Sequence, residues 1–155
     1  MDLSAILKPG ALKVIGQLSS KKRLFQEIAD LAGSVYGIES ALAFDGLQER
    51  ESLGATGVGH GIALPHARID NLTDIIGVFV RLERPMDFDS VDRQPVDLIF
   101  ALFAPKDAGV DHLKALALVS RTMRDAGTCA KLRANTDPGK LYAVLTEAKT
   151  DHQAA

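Results

Sequence analysis

Residues 54–68 run Gly-Ala-Thr-Gly-Val-Gly-His-Gly-Ile-Ala-Leu-Pro-His-Ala-Arg, with four glycines inside eight positions and a histidine, His66, directly after Pro65. Glycine at that density lets backbone approach backbone or a ligand closely. The proline removes a donor and stiffens the arm ahead of the imidazole. Near neutral pH an imidazole is a nitrogen nucleophile once a hydrogen bond fixes its other ring nitrogen. Such a group accepts a phosphoryl unit, and the N–P bond is labile enough for onward transfer, which makes the residue a carrier rather than a terminal store. Phosphoryl transfer is mostly positioning and charge stabilisation, so donors must surround the phosphoryl oxygens. Thr56, the backbone of Gly57 and Gly59, Arg50 and a second histidine are the candidates to supply them.

Two rival chemistries fit less well. Neither common nucleotide fingerprint is met, because no Gly-Lys-Ser/Thr follows a four-residue gap and no G-x-G-x-x-G leads from a strand into a helix. His60, His66, His112 and Cys129 are residue types that zinc favours. If residues 60–66 are extended, however, His60 and His66 stand about 20 Å apart at roughly 3.3 Å per residue. A turn at Gly61 would shorten that span, but no HExxH or CxxC spacing accompanies the pair. No metal and no cofactor is expected. His60 and His152 are read as hydrogen-bonded or surface histidines, His60 being a neighbour of the site rather than a participant.

The elements that must hold this segment follow from periodicity. Leu12 to Ile15 forms a brief strand. Ser19 or Ser20 caps a helix with Leu24, Ile28, Leu31, Ala32 and Val35 on one face, and Gly37 ends it. Its basic first turn, Lys21-Lys22-Arg23, opposes the helix dipole and reads as a solvated face. Ser40 starts a second helix, with Leu42, Ala43, Phe44, Leu47 and Leu53, which stops at Gly54 and carries Arg50 near its end. The glycine-rich segment reads as a hairpin whose second arm delivers His66. Ile75 to Leu82 and Val96 to Phe103, bounded by Pro85, Pro95 and Pro105, are buried strands of a central sheet. From Asp111, a candidate cap, helical spacing returns with Leu113, Leu116, Ala117, Ser120 and Met123 on one face. Shorter helices start near Thr128 and at Asp137-Pro138. Helices before, between and after strands make a layered α/β domain.

Composition narrows the partners. The chain has 155 residues, 18 Lys+Arg against 20 Asp+Glu, and a single cysteine. Near-balanced charge disfavours a broad nucleic-acid-binding face, so anion recognition must be local. One cysteine excludes a disulfide scaffold, and at this length the core needs no such staple. The apolar runs fall far short of the ~20 residues that span a bilayer, and the first residues lack the features of a secretory signal. A cytoplasmic protein without a membrane segment is expected.

The core Thr-Gly-Val-Gly-x-Gly-Ile-Ala-Leu-Pro-His within residues 54–68 resembles the phosphorylation-site segment of mannitol/fructose-type enzyme IIA proteins of the bacterial phosphotransferase system. Residues 111–125, Asp-His-Leu-Lys-Ala-Leu-Ala-Leu-Val-Ser-Arg-Thr-Met-Arg-Asp, resemble that family's second-histidine helix. The opening Met-Asp-Leu-Ser-Ala-Ile-Leu is similar to the nitrogen-related branch. The resemblance covers about residues 1–149 as one domain and leaves 150–155 as a flexible tail.

The resemblance implies a three-layer α/β/α sandwich around a mixed β-sheet. It makes His66 the phosphorylated residue, His112 the second active-site histidine and Arg50 the active-site arginine, a forked cation suited to phosphate oxygens. Thr56, Gly57, Gly59, His60 and Arg68 are expected as neighbours of the phosphate. The donor it implies is a small HPr-like carrier (NPr), charged by its own enzyme I from phosphoenolpyruvate. With no fused IIB sequence and no membrane segment, regulation fits better than sugar transport, and sensor kinases, potassium transport proteins and enzyme I are the expected targets. Alternatives are a sugar-transport component that passes phosphate to a separate IIB protein, and a binding module that is never phosphorylated. Weak homodimerisation is compatible with either. Val58, Ile62, Leu64 and Phe88 are candidates for an apolar docking rim, with Arg50 and Arg68 steering an acidic partner.

Overall fold

A computed structural model of the chain describes the backbone of residues 2–154 and the side chains of residues 2–147. The order is α1 (Leu3–Ile6), β1 (Leu12–Ile15), α2 (Lys21–Tyr36), α3 (Ser40–Leu53), β2 (Gly57–Gly59), β3 (Ile62–Ala63), β4 (His66–Ile69), β5 (Ile76–Met86), β6 (Val96–Pro105), α4 (Val110–Arg124), α5 (Ala126–Arg133) and α6 (Pro138–Ala154). The strands form one mixed sheet in the order β1-β5-β6-β3-β2, with β4 also on β6. β5 and β6 are antiparallel, whereas β1 runs parallel to β5, and β3 and β4 run parallel to β6.

Alternation along β6 builds the layers. Ile99, Ala101 and Phe103 point into a cluster with Leu24, Phe25 and Ile28 of α2 and Leu47 of α3. Leu98, Phe100 and Leu102 point the other way, into a cluster with Leu118 and Val119 of α4, Leu132 of α5 and Leu141 of α6. The strand is apolar throughout because both faces are covered, and the expected three-layer sandwich is what results.

β3 and β4 are one run in register. Ile62 pairs with Leu98 and His66 with Leu102, the same offset, and only Leu64 and Pro65 interrupt the ladder. Pro65 has no N–H to give, but its carbonyl still accepts from the Leu102 amide at 3.0 Å. The hairpin expected to deliver His66 therefore exists as β2–β3, and its second arm continues as β4. Gly61 at its tip has φ +79°, and an added Cβ would stand 2.6 Å from a guanidinium nitrogen of Arg133.

Some local expectations hold and others shift. Ser20 caps α2 through a bond from the Arg23 amide, and Gly37 ends it at φ 76°. Ser40 starts α3 as expected, and its hydroxyl donates to Asp30 of α2 at 2.6 Å. Gly109, at φ 54°, is the cap of α4, which leaves Asp111 in the first turn, where a carboxylate complements the dipole. The inward face of α4 is His112, Ala115, Leu118, Val119, Thr122 and Met123; Leu113 and Ala117, expected inside, are exposed. Both sets have helical spacing, so periodicity alone did not choose between them. β5 passes Pro85 at a register shift, the position in a sheet that tolerates proline. The tail read over 150–155, with His152, lies outside the residues whose side chains are described. No helix is long and apolar enough to cross a membrane among the described residues.

Candidate active site

Period-2 alternation sends Ile62, Leu64, His66 and Arg68 to the α4 side of the sheet, while Ala63, Ala67 and Ile69 pack under α2 and α3. The last turn of α3 and the first turn of α4 then close on β4 from its two sides. A cavity of about 530 Å³ remains between them, lined by Arg50, Leu53, His66, Arg68, His112 and Leu113, with Glu49, Leu116 and Lys106 at its margins. α3 lies close to the strand because Gly46 faces it: a Cβ there would stand 2.9 Å from that of Ala67.

His66 is half-buried, and its Nδ1–H donates to the Leu64 carbonyl at 2.9 Å. That bond puts the ring proton on Nδ1 and leaves the lone pair on Nε2. Burial pushes its pKa below the usual 6.5, against the Leu64 bond, which raises it; Arg50 adds to the lowering and Glu51 opposes it. The shift favours the neutral ring, whose lone pair is on Nε2.

His112, third residue of α4, is only 4% exposed. It meets His66 edge to face, with ring centroids 5.6 Å apart and planes at 73°. Its Nδ1 accepts from Arg68 Nε at 3.2 Å, and its Nε2 is buried with no partner among the described residues. Burial, then the neighbouring His66, then Arg68 lower its pKa to about 4. Arg50 sits in the last turn of α3, where a cation suits the dipole; its Nη1 donates to the Gly54 carbonyl at 2.9 Å. Three cationic side chains against one carboxylate, Glu49, make the cavity an anion site.

Residue 51 organises the turn behind Arg50. The Glu51 carboxylate accepts from the Thr56 amide at 3.1 Å, from the Thr56 hydroxyl at 2.6 Å and from Lys21 at 2.8 Å. Lys21 also reaches Asp89 at 3.2 Å and lies over the Phe88 ring. The basic start of α2 is therefore not simply a solvated face, since Lys21 is turned into an ion-pair network.

His66, His112, Arg50 and Arg68 are brought together; Thr56, Gly57, Gly59 and His60 are not among the residues that line their cavity. The Thr56 hydroxyl is committed to Glu51. Gly57 lies against Ser90. Gly59 and His60 sit at the hairpin tip, where the His60 amide donates to Asp92 at 2.9 Å and its carbonyl accepts from Arg133 at 2.9 Å. An extended arm carries these residues away from His66, so the glycines serve the turn. The apolar rim differs too. Ile62, Leu64 and Phe88 are buried and Val58, though exposed, does not line the cavity, whereas Leu53 at 81% and Leu113 at 64% exposure flank it. Among the described residues, no group of three or more His, Cys, Asp or Glu is arranged to hold a metal ion.

Sequence reasoning missed Glu51, Lys106 and the Leu53–Leu113 rim. Glu51 had a signal in retrospect, a carboxylate five residues before a threonine across a glycine stop; Lys106 had none beyond following Pro105.

The arrangement can do one thing well: present a fixed nitrogen lone pair to an incoming phosphorus, with a buried ring nitrogen and guanidinium groups around the oxygens. Residues 5–148 match the family described as phosphoenolpyruvate-dependent sugar phosphotransferase system, EIIA 2. A nitrogen regulatory protein of Bradyrhizobium diazoefficiens is 45% identical over 145 residues, 94% of this chain and 95% of its own length. That of Escherichia coli K12 is 38% identical over 148 residues, covering 95% and 91%. The crystal structure of nitrogen regulatory protein IIA-Ntr from Neisseria meningitidis superposes with a TM-score of 0.83 at 34% identity, over 91% of this chain and 97% of that one. The match of sequence along nearly the whole chain, and of fold with it, means that this chain belongs to the EIIA type-2 family of the phosphotransferase system, on its nitrogen-regulatory branch.

Proposed function

We propose that this protein is a phosphoryl carrier of the nitrogen-related phosphotransferase system and that it regulates partner proteins according to its phosphorylation state. In this reading an HPr-like carrier (NPr), charged by its enzyme I from phosphoenolpyruvate, brings a phosphohistidine to the cavity. The His66 Nε2 lone pair forms the new N–P bond as the donor's N–P bond breaks, and the donor ring recovers its lone pair. The His66 proton stays on Nδ1, held by Leu64, so no base is required. The observation that carries the reading is the His66 ring itself, with Nδ1 committed to a backbone carbonyl, so that the lone pair is on Nε2, in edge contact with the His112 ring.

Exposed Leu53 and Leu113 beside a cationic cavity support a protein as the donor, since a small molecule would not need that rim. Phosphorylation adds about −1.5 to −2 charges, enough to change which partner docks there. Sensor kinases and potassium transport proteins are the targets this reading assigns.

Incubation with phosphoenolpyruvate, enzyme I and the small carrier should place acid-labile phosphate on the wild-type chain and none on His66→Ala. Equal labelling of the two would end the assignment. Target binding that is indifferent to the phosphorylating enzymes would make the protein a plain binding module.

A further inference from the structure

Arg68 follows His66 by two residues and so emerges on the same face of β4. Its Nε reaches His112 Nδ1 at 3.2 Å, and its Nη1 leans toward the Lys106 carbonyl at 3.5 Å. A guanidinium is always protonated and has no lone pair to offer. His112 Nδ1 must therefore be the acceptor, and in the neutral ring the single proton lies on Nε2. That nitrogen is buried, has no partner among the described residues and belongs to a ring in edge contact with His66.

We propose that Arg68 is a positioning residue which, by donating to Nδ1, holds His112 in the Nε2–H tautomer, so that a phosphoryl group on His66 meets a hydrogen-bond donor instead of a second lone pair. This deepens the phosphoryl-carrier reading and rests on it. The opposite tautomer would turn a lone pair toward the phosphoryl oxygens and leave the Arg68 Nε–H facing an N–H.

Of the neighbouring side chains, His66 and Arg68 both disfavour a charge on His112. The groups facing His112 around the cavity are His66 and Arg68 from β4, Glu49 and Arg50 from α3 and Lys106 from the segment before α4, with Asp111 adjacent on its own helix. Cations outnumber carboxylates among the lining groups, and Arg68 is one of the causes that keep His112 uncharged. Burial does most to exclude the imidazolium, Arg68 adds to it, and the Arg68 hydrogen bond selects between the two neutral forms.

The test is long-range ¹H–¹⁵N NMR of the His112 ring in the unphosphorylated full-length protein, which needs no phosphate and stands apart from the carrier reading. At pH 7.5 the wild type should show the Nε2–H pattern alone. Arg68→Met should mix the two tautomers and raise the His112 pKa by about one pH unit, the scale expected for losing a nearby cation. Arg68→Gln, whose amide can still donate, should keep the tautomer. A proton on Nδ1 in the wild type, or an Arg68→Met spectrum and titration identical to wild type, would overturn the proposal. Transfer from the carrier supplies a second readout. Arg68→Met should lower the rate at saturating carrier about tenfold, with Arg68→Gln recovering most of it. A defect confined to the half-saturating concentration would make Arg68 a steering cation only and would equally overturn it. Failure of the carrier reading would show separately, as wild-type protein that never takes up phosphate.

Discussion

Replacing His112 with glutamine tests whether the buried ring is neutral in the folded protein, as it must be for Nδ1 to accept from Arg68. Its pKa is held at about 4, with burial the largest cause, followed by His66 and Arg68, against about 6.5 for a free imidazole. A histidine with a depressed folded pKa binds a proton more readily in the unfolded chain. Its contribution to stability is therefore complete above pH 6.5, lost as pH falls from 6.5 to 4, and constant below that. At pH 5 the unfolded ring is mostly protonated and the folded one mostly neutral, which by linkage is a loss of about 2 kcal/mol relative to pH 7.5, rising to about 3 kcal/mol at pH 4. The assay is urea unfolding of wild type and His112→Gln at pH 7.5 and pH 5. Carboxylates common to both proteins cancel in the difference. With a slope of about 1–3 kcal/mol per molar urea, the wild-type midpoint should fall about 1 M further than that of the variant. Equal losses in the two proteins would refute a depressed His112 pKa.

Three other perturbations separate fold from chemistry. Glu51→Gln leaves the partly buried Lys21 with Asp89 alone and weakens the hold on Thr56; at about 2 kcal/mol for a broken charged hydrogen-bond set, the melting temperature should fall by roughly 4–8 °C, and an unchanged melt would remove Glu51 from the scaffold. Arg50→Ala deletes a side chain bonded only to the Gly54 carbonyl among the described residues, so stability should change by less than about 0.5 kcal/mol while phosphoryl transfer slows about 10- to 100-fold; a full transfer rate would take Arg50 out of the mechanism. Gly46→Ala should destabilise by about 1–3 kcal/mol, reversing the usual gain of alanine in a helix, because its Cβ would meet that of Ala67 at 2.9 Å; a variant more stable than wild type in thermal unfolding would mean that α3 does not press on β4 as described.

What the sequence carried and what it did not follow from the reach of each signal. The long apolar strands β5 and β6, the capped helix α2 and the proline that opens α6 are local signals repeated over many residues, and they gave the layers. The face of α4 was ambiguous because Leu113 and Leu116 keep the same period as Ala115, Leu118 and Val119; only docking on the sheet decides which set is buried. His66, His112 and Arg50 stand on three elements spread over 63 residues of chain, and no periodicity joins them; a motif resemblance did. The glycines were read as donors for phosphate because glycine-rich backbone often does that. Here they serve hairpin geometry, a distinction that depends on where the sheet runs. Arg68 and Glu51 act through other residues, and such second contacts have no fixed spacing.

The tautomer of His66 traces back to an unfinished sheet. Gly57 pairs with Ala63, so Thr56 stands opposite Leu64 at the next rung. An antiparallel ladder would exchange two bonds there. One is made, from the Leu64 amide to the Thr56 carbonyl at 3.0 Å. The other is not, because the Thr56 amide is turned to the Glu51 carboxylate. The Leu64 carbonyl is left on the outer edge of the sheet, where an open backbone acceptor is ordinarily a liability, and the ring two residues on donates to it. A one-residue extension of β2 would close that rung and bring the Thr56 amide to the carbonyl that His66 uses. The ion pair at the end of α3 thus bears on which nitrogen of His66 keeps its lone pair, and the sheet edge supplies the acceptor that a general catalytic triad would take from a side chain.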